Sequence, residues 1–458
     1  MNLKVNAKLD PKFQPLSLVC RYMREETKDN GQDIVIGIER NKGYTSTYKT
    51  RIFADGTGHD EENFKFIERM VKSLLWVAGG YKVIIAGSEV VGNKIKEAYT
   101  DGGLRDFDVH FMERVYEQKF EIVVCSLADA PADKSAAAPI GRHLDGCRIG
   151  FDAGGSDRKV SAVVNGESVY SEEVVWFPKI NSDPDYHYQG ILEAMKTAAS
   201  HMPRVDAIGV SSAGVYVDNR IMVASLFLKV SDEEFDKKVK NMYLDVAKEI
   251  GADIPIEVAN DGDVTALAGA MDLNDNAVLG VAMGTSEAGG YVDPDGNITG
   301  WLNELAFVPV DFCEDAMVDE WSGDYGCGVK YFSQDGVIKL APYAGIELDE
   351  NLSPAEKLKV VQGLMEKGDE RAAAIYDTIG AYFGYAIAFY TEFYDIKHVL
   401  IMGRVTSGEG GVILLNRAQE VLDKEFPELA GKIQLHIPDE SSRRVGQSVA
   451  AASLPKIN

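Results

Sequence analysis

The residues best suited by type and spacing to do chemistry fall into three glycine-rich loops and one Asn-Asp pair. The first loop, Asp152-Ala-Gly-Gly-Ser156, follows an apolar run that opens at Arg148. A strand ending there delivers a carboxylate, and two glycines let backbone amides approach an anion closely. Asp152 is suited to hold a magnesium ion, directly or through water. Taken alone, Gly-Gly between two strands is more often a plain hairpin. Gly284-Thr-Ser-Glu-Ala-Gly-Gly290 repeats the pattern of strand, small hydroxyl residues, glycines and strand. Gly403-Arg-Val-Thr-Ser-Gly408 follows an apolar strand and precedes a helix, whose N-terminus favours anions. Asn260-Asp261 stands between the first two loops. Asp261 is suited by type to general acid–base work. The plainer alternative for Asp261 is a cap for the helix predicted over 264–271.

The elements that must position these residues alternate between strand and helix patterns. Strands are predicted at 148–152, 159–164, 206–210, 255–259, 277–283, 287–292 and 398–402. Helices are predicted at 188–199, 235–246, 264–271, 354–366, 370–394, 412–424 and 446–454. Ser231-Asp-Glu-Glu234 reads as a capping box, with Phe235, Val239, Met242 and Val246 on one following face. Such alternation indicates an α/β architecture. An Ala- and Pro-rich stretch, 128–141, reads as a linker that separates 1–147 from 148–458.

Composition narrows the function classes. The chain has 458 residues, 47 Lys and Arg against 72 Asp and Glu, and a net charge of −25. A surface so negative repels phosphate backbones and anionic lipid, so neither a nucleic-acid nor a membrane partner is expected. The five cysteines are scattered and none forms a Cys-x-x-Cys pair, which points to a reduced, cytoplasmic protein. His398 and His436 read as packed or surface histidines, and Arg443-Arg444 as a solvated or capping pair.

The order of the three loops around Asn260-Asp261 resembles the ROK sugar kinases, members of the actin-like ATPase superfamily, over 148–458. The resemblance implies a two-lobed fold built on ribonuclease-H-like sheets, with ATP and sugar in the cleft between lobes. The small lobe would take 148–259 and 443–458, and the large lobe 260–442. Gly154, Gly155 and Ser156 would lie at the first phosphate loop, with Asp152 at the magnesium. Gly284, Thr285 and Ser286 would form the second phosphate loop, and Gly403 and Gly408 the adenosine motif. Asp261 would be the catalytic base. Asn260, Glu304, Ser212 and Gly214 would bind the sugar. Asn303-Glu304-Leu-Ala-Phe-Val-Pro-Val310 is similar to the family's Gly-Glu-x-Gly-His stretch. Phe307 replaces its zinc-binding His and of its Cys cluster Cys327 remains, so no structural zinc is expected. A later sugar-binding Glu falls at Val329.

The implied activity is ATP- and magnesium-dependent phosphorylation of a sugar or sugar-derivative hydroxyl. The alternative is a sugar- or nucleotide-binding protein of the same fold that has lost catalysis. A homodimer is expected by analogy alone. Residues 1–147 carry no motif for chemistry. Strands at 34–38, 48–53, 82–86 and 121–125 and helices at 63–77, 90–99 and 109–116, the first amphipathic with Phe64, Ile67, Val71 and Leu74 on one face, make them an additional α/β domain. They are either a degenerate actin-like half or, as favoured here, an unrelated domain. They contain no basic recognition helix of the kind a DNA-binding regulator needs.

Overall fold

The structure is a computed structural model that describes residues 2–134, 140–438 and 440–457, with the side chains of 440–445 excepted. The expected linker therefore lies partly, and the Arg443-Arg444 side chains wholly, outside the described residues. The chain divides into two compact units. One comprises Met1–Ala136, Val281–Gly289 and Trp301–Ile437, and the other Ala137–Gly280, Gly290–Gly300 and Pro438–Asn458. The first 136 residues are thus part of a larger unit.

The N-terminal part of the first unit runs α1 (Leu16–Glu26), β1 (Gly31–Arg40), β2 (Tyr44–Phe53), α2 (Asp60–Ala78), β3 (Lys82–Ala86), α3 (Glu89–Ala98), α4 (Asp106–Tyr116) and β4 (Glu121–Cys125). Its sheet has the order β2-β1-β3-β4. β1 is antiparallel to both β2 and β3, and β3 is parallel to β4. α2 was expected to be amphipathic. It is instead buried on every side from Phe66 to Ala78, with Glu68, Arg69 and Lys72 inside. Three charged residues enter the core because they find oppositely charged partners there, as buried charges must.

The second unit begins with β5 (Cys147–Ala153), β6 (Asp157–Val164) and β7 (Glu167–Val175). It continues through α5 (Pro184–Ser200), β8 (Ala207–Ser212), the small hairpin β9 (Val215–Val217) and β10 (Arg220–Val223), and the single turn α6 (Asp232–Glu234). α7 (Met242–Ile250), β11 (Ile256–Asn260) and α8 (Asp261–Leu273) follow. The sheet order is β11-β8-β5-β6-β7. β5, β6 and β7 form an antiparallel meander, while β5, β8 and β11 run parallel. This is the ribonuclease-H-like pattern the sequence implied. The N-terminal sheet differs at its β1–β3 step, which is antiparallel where β5–β8 is parallel, so it is no degenerate copy. β5 is buried along its whole length, as a central strand covered on both faces should be. Edge strand β7 alternates between exposed and half-buried residues.

The chain then returns through β12 (Val278–Met283), β13 (Glu287–Val292), α9 (Gln334–Leu340), α10 (Pro354–Glu366), α11 (Glu370–Tyr390), β14 (His398–Met402), α12 (Glu409–Glu425), α13 (Pro427–Ala430) and β15 (Gln434–His436). The order here is β13-β12-β14-β15. α11 is apolar all round and buried from Thr378 to Tyr390, a core helix of the first unit. Among the described residues no helix is long and apolar enough to cross a membrane. The last helix, α14 (Glu440–Ala452), belongs to the second unit and packs on β5 and β8. Gly150 and Gly209 make that approach possible, because a Cβ at either would overlap a carbonyl oxygen of α14, that of Ser448 or of Ala451.

Candidate active site

The parallel strands of the second unit bring three predicted regions to one sheet end. The register pairs Asp152 with Ser211 and Ala153 with Ser212, and on the other side Ser212 with Asn260. Asp152 is 6% exposed and accepts a hydrogen bond from the Ser211 hydroxyl at 2.8 Å. Burial raises its pKa to about 6, against the Ser211 hydrogen bond, and the charge of Asp261 pushes the same way. Ser211 was not singled out from sequence. Its signal was weak, a hydroxyl at a strand end beside a strand that carries an acid.

Asn260 caps α8: its Oδ1 accepts from the Gly262 N–H at 2.7 Å, and its Nδ2 donates to the Gly214 carbonyl at 2.7 Å. Asp261 is therefore the first residue of the helix and not its cap. Its Oδ1 also accepts from the Gly262 N–H, at 3.0 Å. Burial pushes the Asp261 pKa up, while these backbone groups and the positive charge of Lys179 hold it down. Asp263 is buried and accepts from the Tyr291 N–H at 3.0 Å, which secures the helix start. Ser212 is fully buried, and its hydroxyl accepts from the Tyr243 hydroxyl at 2.9 Å. Gly154 and Ser156 are tied to Trp176: the indole Nε1 donates to the Gly154 carbonyl at 2.8 Å, and the Trp176 N–H to that of Ser156 at 3.1 Å.

The remaining predicted residues belong to the first unit. Gly284 donates its N–H to the Ser286 carbonyl at 2.9 Å and accepts from the Gln334 N–H at 2.9 Å. A Cβ at Gly284 would meet only the Ser286 carbonyl, at 3.7 Å, so this loop has an open face suited to an anion. Gly403 has φ +99°, and a Cβ there would overlap the Met283 backbone, which holds the two loops at adjoining strand ends. Gly408 is open, with φ +71°. Beside it lies a cavity of about 180 Å³ lined by Gln362, Tyr376, Ser407 and Glu409 among others. The Tyr376 hydroxyl is buried and has no hydrogen-bond partner among the described residues. The cavity, lined by an aromatic ring and polar side chains, is suited to a planar heterocycle.

Glu304 is held by its backbone. Its N–H donates to the Trp76 carbonyl at 3.1 Å, and the Asn303 N–H to the Val77 carbonyl at 3.0 Å. The Trp76 ring lies 4.3 Å from that of Phe307. A buried ion network ties the following loop to α2 and α4. Asp324 accepts from Arg69 at 2.9 Å and pairs with Lys72 at 3.2 Å and Arg105 at 2.7 Å. Asp108 accepts from Lys72 at 3.1 Å, and Glu68 from Arg105 at 2.5 Å. Cys327 lies fully buried beside Asp324, and burial pushes its thiol pKa up. The sequence signalled none of this, because the network joins α2 to Arg105, Asp108 and Asp324, which lie far from it in the chain. Glu287, 3% exposed, has its pKa raised to about 8 by burial, with the charge of Glu304 adding to the effect.

No protein-family model and no curated protein matches this chain. Solved structures do. A ROK hexokinase from Thermus thermophilus is similar at 17% identity and a TM-score of 0.51, over 66% of this chain and 97% of that one. A ROK-family transcriptional regulator, a homologue of the E. coli MLC protein, is similar at 17% identity and a TM-score of 0.50, over 68% of this chain and 79% of that one. At such identities the likeness is one of fold. Over about two-thirds of its length the chain has the ROK, actin-like ATPase fold.

Proposed function

We propose that this protein is an ATP- and magnesium-dependent phosphotransferase acting on a hydroxyl of a sugar or sugar derivative. The observation that carries the reading is the convergence of Asp152, Ser211 and Asp261 at the ends of three parallel strands. Each unit is assigned its part separately. In the second, Asp261 takes the proton of the acceptor hydroxyl, and its burial makes it a stronger base than an exposed carboxylate. Asn260 fixes Asp261 and the Gly214 loop, and the second N–H of its amide is left to orient an acceptor. Ser212 is placed in the core by its Tyr243 bond, so it would act by supporting Ser211 and not by touching sugar. Asp152 would hold magnesium, with Ser211 fixing the carboxylate. In the first unit, amides near Gly284, Thr285 and Ser286 would bind phosphate. The cavity beside Gly408 would take the base, and Glu304 acceptor hydroxyls.

Magnesium ATP, when bound, supplies the phosphoryl group and neutralises charge as it transfers. What supports this chemistry is the open face at Gly284, the buried Asp152 carboxylate held by Ser211 and the cavity beside Gly408. Acceptor-dependent release of ADP across hexoses, amino sugars and polyols tests the reading. One observation favours a binding protein without catalysis. Ser212 and most of the Asn260 amide are already engaged within the chain. Such a protein would show a ligand-dependent rise in Tm with no ADP release.

A further inference from the structure

We infer that Lys179 is the phosphate-binding cation of the Gly154-Gly155 loop. The inference rests on the nucleotide-binding part of the function proposed above. A nucleotide triphosphate brings several negative charges to a loop that already carries Asp152 and Asp157, with Asp261 near by. A cation is needed there, and the two that follow the glycines in sequence already have carboxylate partners. Arg158 pairs with Glu193 at 2.9 Å, and Lys159 with Asp157 at 3.4 Å.

Lys179 comes from a different segment and reaches the same loop. Its Nζ lies 2.9 Å from the point where a Cβ of residue 155 would stand, so Gly155 leaves room for the ammonium group. Its charge acts on Asp261, yet the two do not approach within ion-pair distance among the described residues. The side chain is exposed and no hydrogen bond or ion pair engages its ammonium there.

The backbone that presents Lys179 is fixed on all sides. Trp176, 2% exposed, is bonded to Gly154 and Ser156 as described above. The Phe177 N–H donates to the Tyr186 hydroxyl at 2.9 Å, and Asn181 Nδ2 donates to the Phe177 carbonyl at 2.8 Å. Nε2 of the fully buried His187 lies 3.0 Å from the Pro178 carbonyl. A long, flexible side chain is thus launched from a rigid turn directly over Gly155. Lysine is suited to this position as a point charge that follows a phosphoryl group rather than a fork that fixes it. The sequence conceals the role, since Lys179 stands 24 residues after Gly155 in a segment without a motif.

The test is calorimetric binding of magnesium ATP, ADP, AMP and tripolyphosphate to the full-length chain. Wild type is compared with Lys179→Ala, Lys179→Arg and, as a control, Lys159→Ala. The expected result is that Lys179→Ala weakens ATP and tripolyphosphate by about 10- to 100-fold. AMP should change by less than about twofold, with Lys179→Arg retaining most of the affinity and Lys159→Ala behaving as wild type. Unchanged thermal melting in Lys179→Ala would show that the turn is intact. ATP and tripolyphosphate affinities unaltered in Lys179→Ala, with wild type binding both, would overturn the inference alone. Wild type that binds no ATP would overturn it together with the proposed function.

Discussion

The Ser211 hydroxyl donates to the Asp152 carboxylate at 2.8 Å inside the protein, across two parallel strands in register. One carboxylate is thereby oriented, with the charge of Lys159 adding to its stabilisation. Burial still outweighs the hydrogen bond and brings Asp152 to about pH 6. Between the ordinary carboxylate range and about pH 6, the folded chain keeps a proton that the unfolded chain has released. Stability from this group therefore falls as pH rises through that window, by about 3 kcal/mol in total. Asp152→Asn should be more stable than wild type above pH 6, and the difference should vanish near pH 4. Chemical denaturation at several pH values measures this. Magnesium must displace the same proton, so its affinity should fall below about pH 6, and Ser211→Ala should move that fall to higher pH.

The ion network around Asp324 places a second prediction on the N-terminal residues. Asp324→Asn leaves Arg69, Lys72 and Arg105 with less negative charge in a buried site. Removing one partner of a buried ion pair costs about 3–5 kcal/mol. Urea unfolding should show a loss of that size. Loss of the Trp76–Phe307 contact in Trp76→Ala should instead act on the loop that carries Glu304. It should raise the acceptor KM more than it changes the KM for ATP.

Glu287 gives a prediction of the same sign as Asp152, in a higher pH window. Its pKa of about 8 means that the folded chain carries it protonated at pH 7, whereas the unfolded chain ionises it in the ordinary range. Its contribution to stability falls as pH rises from that range to about 8. Glu287→Gln mimics the neutral form and should be stabilising at pH 7, by about 3 kcal/mol. The gain should shrink toward zero as pH falls toward the ordinary range. Thermal melts of the two proteins against pH would check both the sign and the window.

How much of this was legible in sequence varies with how local the signal is. The strand–loop–strand patterns at Asp152, Gly284 and Gly403 are local, and each element appears within a few residues of its expected place. Asn260 as cap and Asp261 as first helical residue depend on one turn of backbone, and the sequence had offered Asp261 as the alternative cap. α2 was legible as a helix but not as a buried one, because the partners of Glu68, Arg69 and Lys72 lie on α4 and in the loop at Asp324. Ser211 and Lys179 were invisible for the same reason: what makes them notable is the neighbour that folding supplies.

The most direct test of the central claim is magnesium-dependent ADP release by the full chain, across hexoses, amino sugars and polyols, beside Asp261→Asn. The account predicts that at least one acceptor stimulates ADP release in wild type. In Asp261→Asn that stimulation should fall by about 10²- to 10⁴-fold, with ATP binding retained. Stimulated release that persists in Asp261→Asn, or ATP binding with no stimulation by any acceptor, would contradict it.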